Sequence, residues 1–258
     1  MTIATRSSFF YGHIITGINR SLDFKEGSNN FSAFLDTKAY SLTEFATEIE
    51  RVMNIAGDQE YVVTIDRFTR QISISASLAF ELLVSTGVTL GTSVFPLMGF
   101  TNGDRTGANT YQSESGSGFE YRPQFLLQDY IDFEDWQDAQ SSSISESAEG
   151  LVQVTSFGIV KFMQCNITYI SDITHGSDSF IENNQNAVSE SREFLKNITQ
   201  KGSIEFIPNR EDPNIFTKCI LEKTKLSKDG TGFRLYELMN KKLNDRYETK
   251  ILNFRKVN

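Results

Sequence analysis

Ser41-Leu-Thr-Glu-Phe-Ala-Thr-Glu-Ile-Glu-Arg-Val-Met-Asn54, followed by Tyr61-Val-Val-Thr-Ile65 and Gln71-Ile-Ser-Ile-Ser75, sets the fold class by a change of hydrophobic period. Ser41 is an N-cap, and Glu44 three residues on completes a capping box, in which each side chain satisfies the other's backbone N–H. Leu42, Phe45, Ile49, Val52 and Met53 then fall on one face at helical spacing, and Gly57 stops the helix. After it the period drops to two, as strands require, and the short polar connection Asp66 to Arg70 predicts a hairpin with the helix laid across it.

Outward from this unit, the chain reads as α+β, with two mainly antiparallel β domains that each carry a packed amphipathic helix. Residues 1–112 form the helix-plus-meander domain, 113–150 an acidic, aromatic connector or arm, and 151–258 a β-sandwich or barrel-like domain with one helix. Ser113 to Gly118 and Gln140 to Glu149 are Ser-rich polar stretches with the composition of flexible connection. Leu151 to Phe157 and Val160 to Ile170 alternate, which predicts a long hairpin turning around Gly158. A helix follows from about Gln185 to Gln200, with Phe194 and Ile198 marking one of its possible faces. Ser203 to Ile207, Phe216 to Leu226 and Tyr247 to Val257 read as strands, and Leu235 to Lys242 as a short helix.

The chain has 258 residues, 39% of them hydrophobic, with 21 Phe and 9 Tyr, so aromatic packing takes over part of the volume that Leu and Val usually fill. Net charge is −8, against the basic surface that nucleic-acid binding needs, and no apolar run approaches the ~20 residues that cross a bilayer. No nucleic-acid sequence readout and no membrane insertion are expected. The charge is unevenly spread. Between Gln112 and Gly150 nine acids face one base, Arg122, while Lys201 to Asn258 carries thirteen bases against eight acids. Such asymmetry suits subunits that register acid segment on base segment. The cysteines, Cys165 and Cys219, each lie in an apolar strand-like run, which favours buried thiols over a disulfide.

Chemistry-bearing residues are sparse. With His13 and His175 the only histidines, a Ser-His-Asp triad or a multi-histidine metal site has almost no raw material, and there is no Walker A run, dinucleotide fingerprint or CxxC pair. His13 lies in the apolar segment FFYGHIITG and reads as a packed or interface residue. The expectation is a protein that is not an enzyme and that has no cofactor, metal or catalytic residues. Between Phe125 and Trp136, aromatics alternate with carboxylates, and Tyr130, Phe133, Glu134, Asp135 and Trp136 have the composition of an interface anchor. Lys241, Lys242 and Arg246 are their basic counterparts.

Two patterns carry a resemblance. SLTEFATEIERVMN (41–54), YVVTIDRFTRQISIS (61–75) and FPLMGFTNGDRTGANTYQSE (95–114) resemble a module recurrent in structural proteins of tailed bacteriophages and other viruses, with a Leu-Gly-Phe-like turn, here Leu97-Met98-Gly99-Phe100, and a TGA-x-x-Y segment at Thr106–Tyr111. ESAEGLVQVTSFGIVKFMQCNITYIS (146–171) and REFLKNITQKGSIEFIPNREDPNIFTKCILEKT (192–224) resemble tail-tip or distal-tail virion proteins whose strands form rings. The resemblance implies a virion structural protein of the bacteriophage tail, near the tip or baseplate, made in the host cytoplasm. Its partners would be copies of itself in a ring and other tail or neck virion proteins. A neck or head-to-tail connector, a capsid decoration protein and a carbohydrate-binding adhesin module stand as alternatives.

Overall fold

A computed structural model describes residues 7–121, 125–126, 137–146, 150–168, 170–171, 181–182, 194, 198, 202–222, 236–237, 246–248 and 251–257. Within them the protein is α+β and mainly antiparallel sheet. In chain order the elements are β1 (Ser8–Tyr11), β2 (Ser21–Glu26), β3 (Asn29–Phe34), α1 (Leu42–Ala56), β4 (Tyr61–Ile65), β5 (Ile72–Leu82), a 3-10 turn (Leu90–Thr92), α2 (Phe95–Met98), β6 (Arg105–Gln112), β7 (Phe119–Tyr121), β8 (Phe125–Leu126) and β9 (Gln137–Glu146). They continue with β10 (Val152–Thr168), β11 (Ile170–Ser171), β12 (Ile181–Glu182), β13 (Ile204–Ile207), β14 (Thr217–Leu221), β15 (Tyr236–Glu237), β16 (Arg246–Glu248) and β17 (Ile251–Lys256).

The first sheet runs β3-β2-β5-β4, with β6 also on β5. Helix α1 forms as its sequence dictates. The Ser41 side chain accepts from Glu44 N, the Glu44 carboxylate accepts from Ser41 N, and Leu42, Phe45, Ile49, Val52 and Met53 are all buried. These side chains share one core with Leu22, Phe24, Tyr61, Ile72, Ile74, Phe80 and Phe100. The β4–β5 hairpin is present and its turn is pinned by Asp66, whose Oδ1 accepts from Phe68 N and Thr69 N. Gly99 takes φ +87 at the end of α2, where a Cβ would collide with the Ser115 carbonyl, and this turn delivers Phe100 to the core. Tyr111 explains the TGA-x-x-Y run: its hydroxyl donates to Phe80 O and accepts from Ala108 N, locking β6 to the irregular part of β5.

The larger sheet runs β12-β7-β1-β13-β14-β17-β10-β8, with β9 also on β10. It draws strands from both ends of the chain, since β1 pairs with β13 on one side and β7 on the other. Its core is aromatic: Phe9 packs within 6 Å of Phe194, Phe206 and Phe254, and Tyr121 stacks on Phe194 at 4.0 Å. Both Phe194 and Ile198 are helical and buried, so the helix face they mark is the one turned to the sheet.

Four sequence expectations change. The chain does not turn at Gly158: β10 runs straight through, and the register shift between Ser156 and Ile159 absorbs Gly158 as a bulge, with the reversal placed instead between β9 and β10. Gln140–Glu146 is therefore strand, paired along β10. Ser113 to Gly118 is a packed passage. There Ser113 and Ser117 are buried, Ser117 N donates to Arg70 O, and Gly116 lies where a Cβ would meet the Thr69 carbonyl. Tyr236–Glu237 is strand paired to Tyr247 and Glu248, because the ladder there outweighs helical spacing. Cys165 and Cys219 lie two ladders apart with β17 between them, about 9–10 Å in the pairing direction, beyond the reach of a disulfide.

Candidate assembly interface

The two sheets meet along a charged seam. Cross-strand register aligns Glu120 of β7, Phe10 of β1, Glu205 of β13 and Lys218 of β14 in one row. Opposite them stands the β4–β5 turn with Arg67 and Arg70, each guanidinium 5.9 Å from the Phe10 ring. Arg67 pairs with Glu205 Oε2, donates to the Pro213 carbonyl at 2.6 Å and lies 3.7 Å over the Phe216 ring. Glu205 Oε1 accepts from Thr43 N and Thr43 Oγ1 in the first turn of α1, so its charge also sits at the positive end of that helix. Lys218 Nζ reaches the capping-box carboxylate of Glu44 at 3.7 Å, and Ser203 Oγ donates to that carboxylate at 2.7 Å.

Arg67, Arg70, Glu120 and Glu205 are all buried. Burial pushes the Glu120 carboxyl above the ordinary glutamate range against the opposing pull of Arg210 and Arg70, and it lowers the Arg70 guanidinium. Arg70 also holds φ +60, a left-handed position that costs a non-glycine residue energy and persists where surrounding contacts over-determine it. Elsewhere among the described residues carboxylates pin backbone: Asp23 accepts from Thr89 N, Glu26 from Asp58 N, Glu48 from Asp36 N, Glu50 from Val63 N and Asp104 from Ser85 N. These acids hold loops in place.

His13 lies just after β1, where the chain passes from the larger sheet to the first. Its Nε2 accepts from Gly118 N at 3.0 Å, and its ring meets Phe45 of α1 and Phe119 of β7 edge-on at 5.2 and 5.3 Å. Burial lowers its pKa to about 4, with a hydrogen bond to the Leu97 backbone acting the other way, so it is neutral at pH 7. It lines a cavity of about 270 Å³ with Tyr11, Tyr40, Leu97 and Phe119.

The third feature is the β9–β10 ribbon. β17 pairs with β10 from Phe162 to Asn166, whereas β9 pairs with it from Val152 to Phe162. Residues 152–160 of β10 thus have β9 as their one strand neighbour among the described residues, and at ~3.3 Å per residue this stretch runs about 30 Å along β10 from the ladder with β17. At its tip Leu151, Val152 and Val154 are 70%, 60% and 58% exposed. Two-stranded ribbons are marginal in water by themselves, and apolar side chains at such a tip favour a covering surface.

Of the residues expected at an interface, Tyr130, Phe133, Glu134, Asp135, Trp136, Lys241 and Lys242 lie outside the described residues, and so does His175. Arg246 opens β16, where its backbone pairs with Ser171. The seam residues were not picked out from sequence, although a glutamate at the centre of the apolar run Ile204-Glu-Phe-Ile207 is a signal of a buried partner. No helix among the described residues is long and apolar enough to cross a membrane. The chain matches no family model, and no curated protein matches it.

Proposed function

We propose that this chain is a non-enzymatic structural subunit that assembles with copies of itself into a ring, in the tail-tip or baseplate region of a tailed-bacteriophage virion. The virion assignment comes from the resemblance of residues 41–114 and 146–224. The assembly reading is carried by one observation, the β9–β10 ribbon with its exposed apolar tip. A closed ring needs two different complementary patches on each subunit, and a ribbon whose tip exposes Leu151, Val152 and Val154 is suited to be one of them. The finer architecture belongs to the same proposal. Two mainly antiparallel β domains, each with a packed amphipathic helix, are joined across the Glu205–Arg67 seam, and β1 crosses from the first domain into the sheet of the second.

Long-range registration would come from the acidic stretch 112–150 of one copy facing the basic stretch 201–258 of the next, with Lys241, Lys242 and Arg246 among its bases. Size-exclusion chromatography with light scattering, followed by negative-stain imaging at low and high salt, tests the reading. Discrete rings that loosen with salt are the expected result. A monomer at every concentration and salt would overturn self-assembly, and salt-stable rings would overturn the electrostatic registration.

A further inference from the structure

We infer that copies of this chain join head to tail through the two outer edges of the first sheet, β6 of one copy adding to β3 of the next; the inference rests on the assembly reading above and names a contact for it. Leu82 of β5 pairs with Phe24 on one side and Arg105 on the other, so β3-β2-β5-β6 is a continuous order with β3 and β6 at its ends. Both ends are open. Leu35 N donates to Arg20 O and Ser113 N to Ile72 O, which fixes the alternation of the two outer ladders. Asn29, Phe31 and Ala33 therefore bond back to β2 and Tyr111 to Ile74, while the backbone groups of Asn30, Ser32, Phe34, Thr110 and Gln112 point outward. The hydrogen bonds of residues 29–34 and 106–112 run to β2, to β5 or to neighbouring side chains, and none crosses the outer edge. Asn30, Phe34, Thr110 and Gln112 are exposed.

Three properties fit these edges to each other. Every neighbouring pair from β3 to β6 is antiparallel, so β3 and β6 run in opposite directions. A next copy in the same orientation thus sets its β6 antiparallel to β3 and continues the sheet, a heterologous contact of the kind a closed ring repeats. Sheet edges are commonly blunted by charge or proline, yet Asn-Asn-Phe-Ser-Ala-Phe-Leu (29–35) and Thr-Gly-Ala-Asn-Thr-Tyr-Gln (106–112) contain neither. Register supplies the third match. Phe31, Ala33 and Tyr111 belong to the core side, so Asn30, Ser32, Phe34, Thr110 and Gln112 share the opposite face. Setting Thr110 beside Ser32 brings Gln112 beside Asn30 and Ala108 beside Phe34, so that hydroxyl meets hydroxyl, amide meets amide and the 46%-exposed Phe34 ring is covered. Ala108 N is already bonded to the Tyr111 hydroxyl, which leaves the new ladder to Thr110 and Gln112 on one strand and Asn30 and Ser32 on the other.

Oxidative crosslinking tests the register. Asn30→Cys protein is mixed with Gln112→Cys protein, with each alone and the unsubstituted chain, which carries Cys165 and Cys219, as controls. Residues directly opposite in such a ladder have Cα atoms ~5.5 Å apart, within reach of a disulfide, whereas β3 and β6 of one copy stand three strand spacings apart, ~14 Å. Crosslinked dimer is expected in the mixture and not in either variant alone, and a chain carrying both substitutions should give a series of higher multimers. Thr110→Pro removes an outward N–H that no bond within the chain uses, so it should raise the concentration needed for assembly by roughly tenfold or more at an unchanged urea midpoint. If the unsubstituted chain assembles but the mixture gives no crosslink above its controls, or Thr110→Pro assembles at the same concentration, this contact is wrong and the assembly reading stands. Crosslinking of Asn30→Cys protein with itself would mean a two-fold β3–β3 contact and overturn the head-to-tail one. If the unsubstituted chain stays monomeric throughout, the assembly reading falls and this inference with it.

Discussion

His13 makes the stability of this protein fall on mild acidification, by an amount that its surroundings set. In the unfolded chain its pKa is 6.5, and in the folded one burial among Phe45, Phe119 and the Gly118 amide lowers it to about 4. Above pH 6.5 neither state binds the proton, and the full contribution to stability is present. Below it the unfolded chain takes up a proton that the native state refuses, so stability declines until His13 titrates in the fold near pH 4. The separation of about 2.5 between the two values corresponds to roughly 3 kcal/mol, of which ~2 kcal/mol is lost between pH 7.5 and 5.0. Glu120 works in the opposite sense. Its raised pKa means that it stabilises the fold while protonated and that this contribution is lost as pH rises through the folded value. The assay therefore compares the native chain with His13→Gln, which keeps an acceptor for Gly118 N and leaves Glu120 in place. Urea unfolding free energies at pH 7.5, 6.5, 5.5 and 5.0 should fall by ~2 kcal/mol more in the native chain than in the variant. Parallel pH profiles, within ~0.5 kcal/mol, would refute a neutral buried His13 at this joint.

Further outcomes follow from the seam, the cap and the charge asymmetry. Glu205→Gln leaves Arg67 buried against a neutral amide and is expected to cost ~3–5 kcal/mol of unfolding free energy, while replacing Arg67 and Glu205 together by methionine and leucine should cost much less. Equal losses in single and double variants, measured by urea unfolding, would contradict a coupled pair. Ser41→Ala removes the acceptor for Glu44 N and should lower stability by ~1 kcal/mol, read as a shift of the urea midpoint without a change of slope. Reversing Lys241, Lys242 and Arg246 to glutamate should weaken assembly in native mass spectrometry while leaving the thermal midpoint within a few degrees. Rings of unchanged abundance would remove that basic stretch from the contact.

Sequence by itself determined the local units. The Ser41–Glu44 capping box, the five-residue apolar stripe of α1 and the alternation of Tyr61–Ile65 and Gln71–Ser75 depend on near neighbours, and each forms in the fold as its pattern dictates. Phe194 and Ile198 were legible in the same way, as one of two faces that helical spacing allowed. Tertiary structure decided what those units meet. Glycine at position 158 is a turn signal in one dimension, but a partner strand along both of its flanks converts it to a bulge. Ser113 to Gly118 has linker composition, yet Arg70, Ile72, Gly99 and His13 take up its backbone and hydroxyl groups. The row Glu120–Phe10–Glu205–Lys218 joins residues as much as about 200 positions apart through sheet register, and its place opposite Arg67 and Arg70 follows from how the two sheets pack. The candidate interface divides in the same way. Alternation marked Leu151 to Phe157 as strand, but the exposure of Leu151, Val152 and Val154 is a property of the assembled sheet.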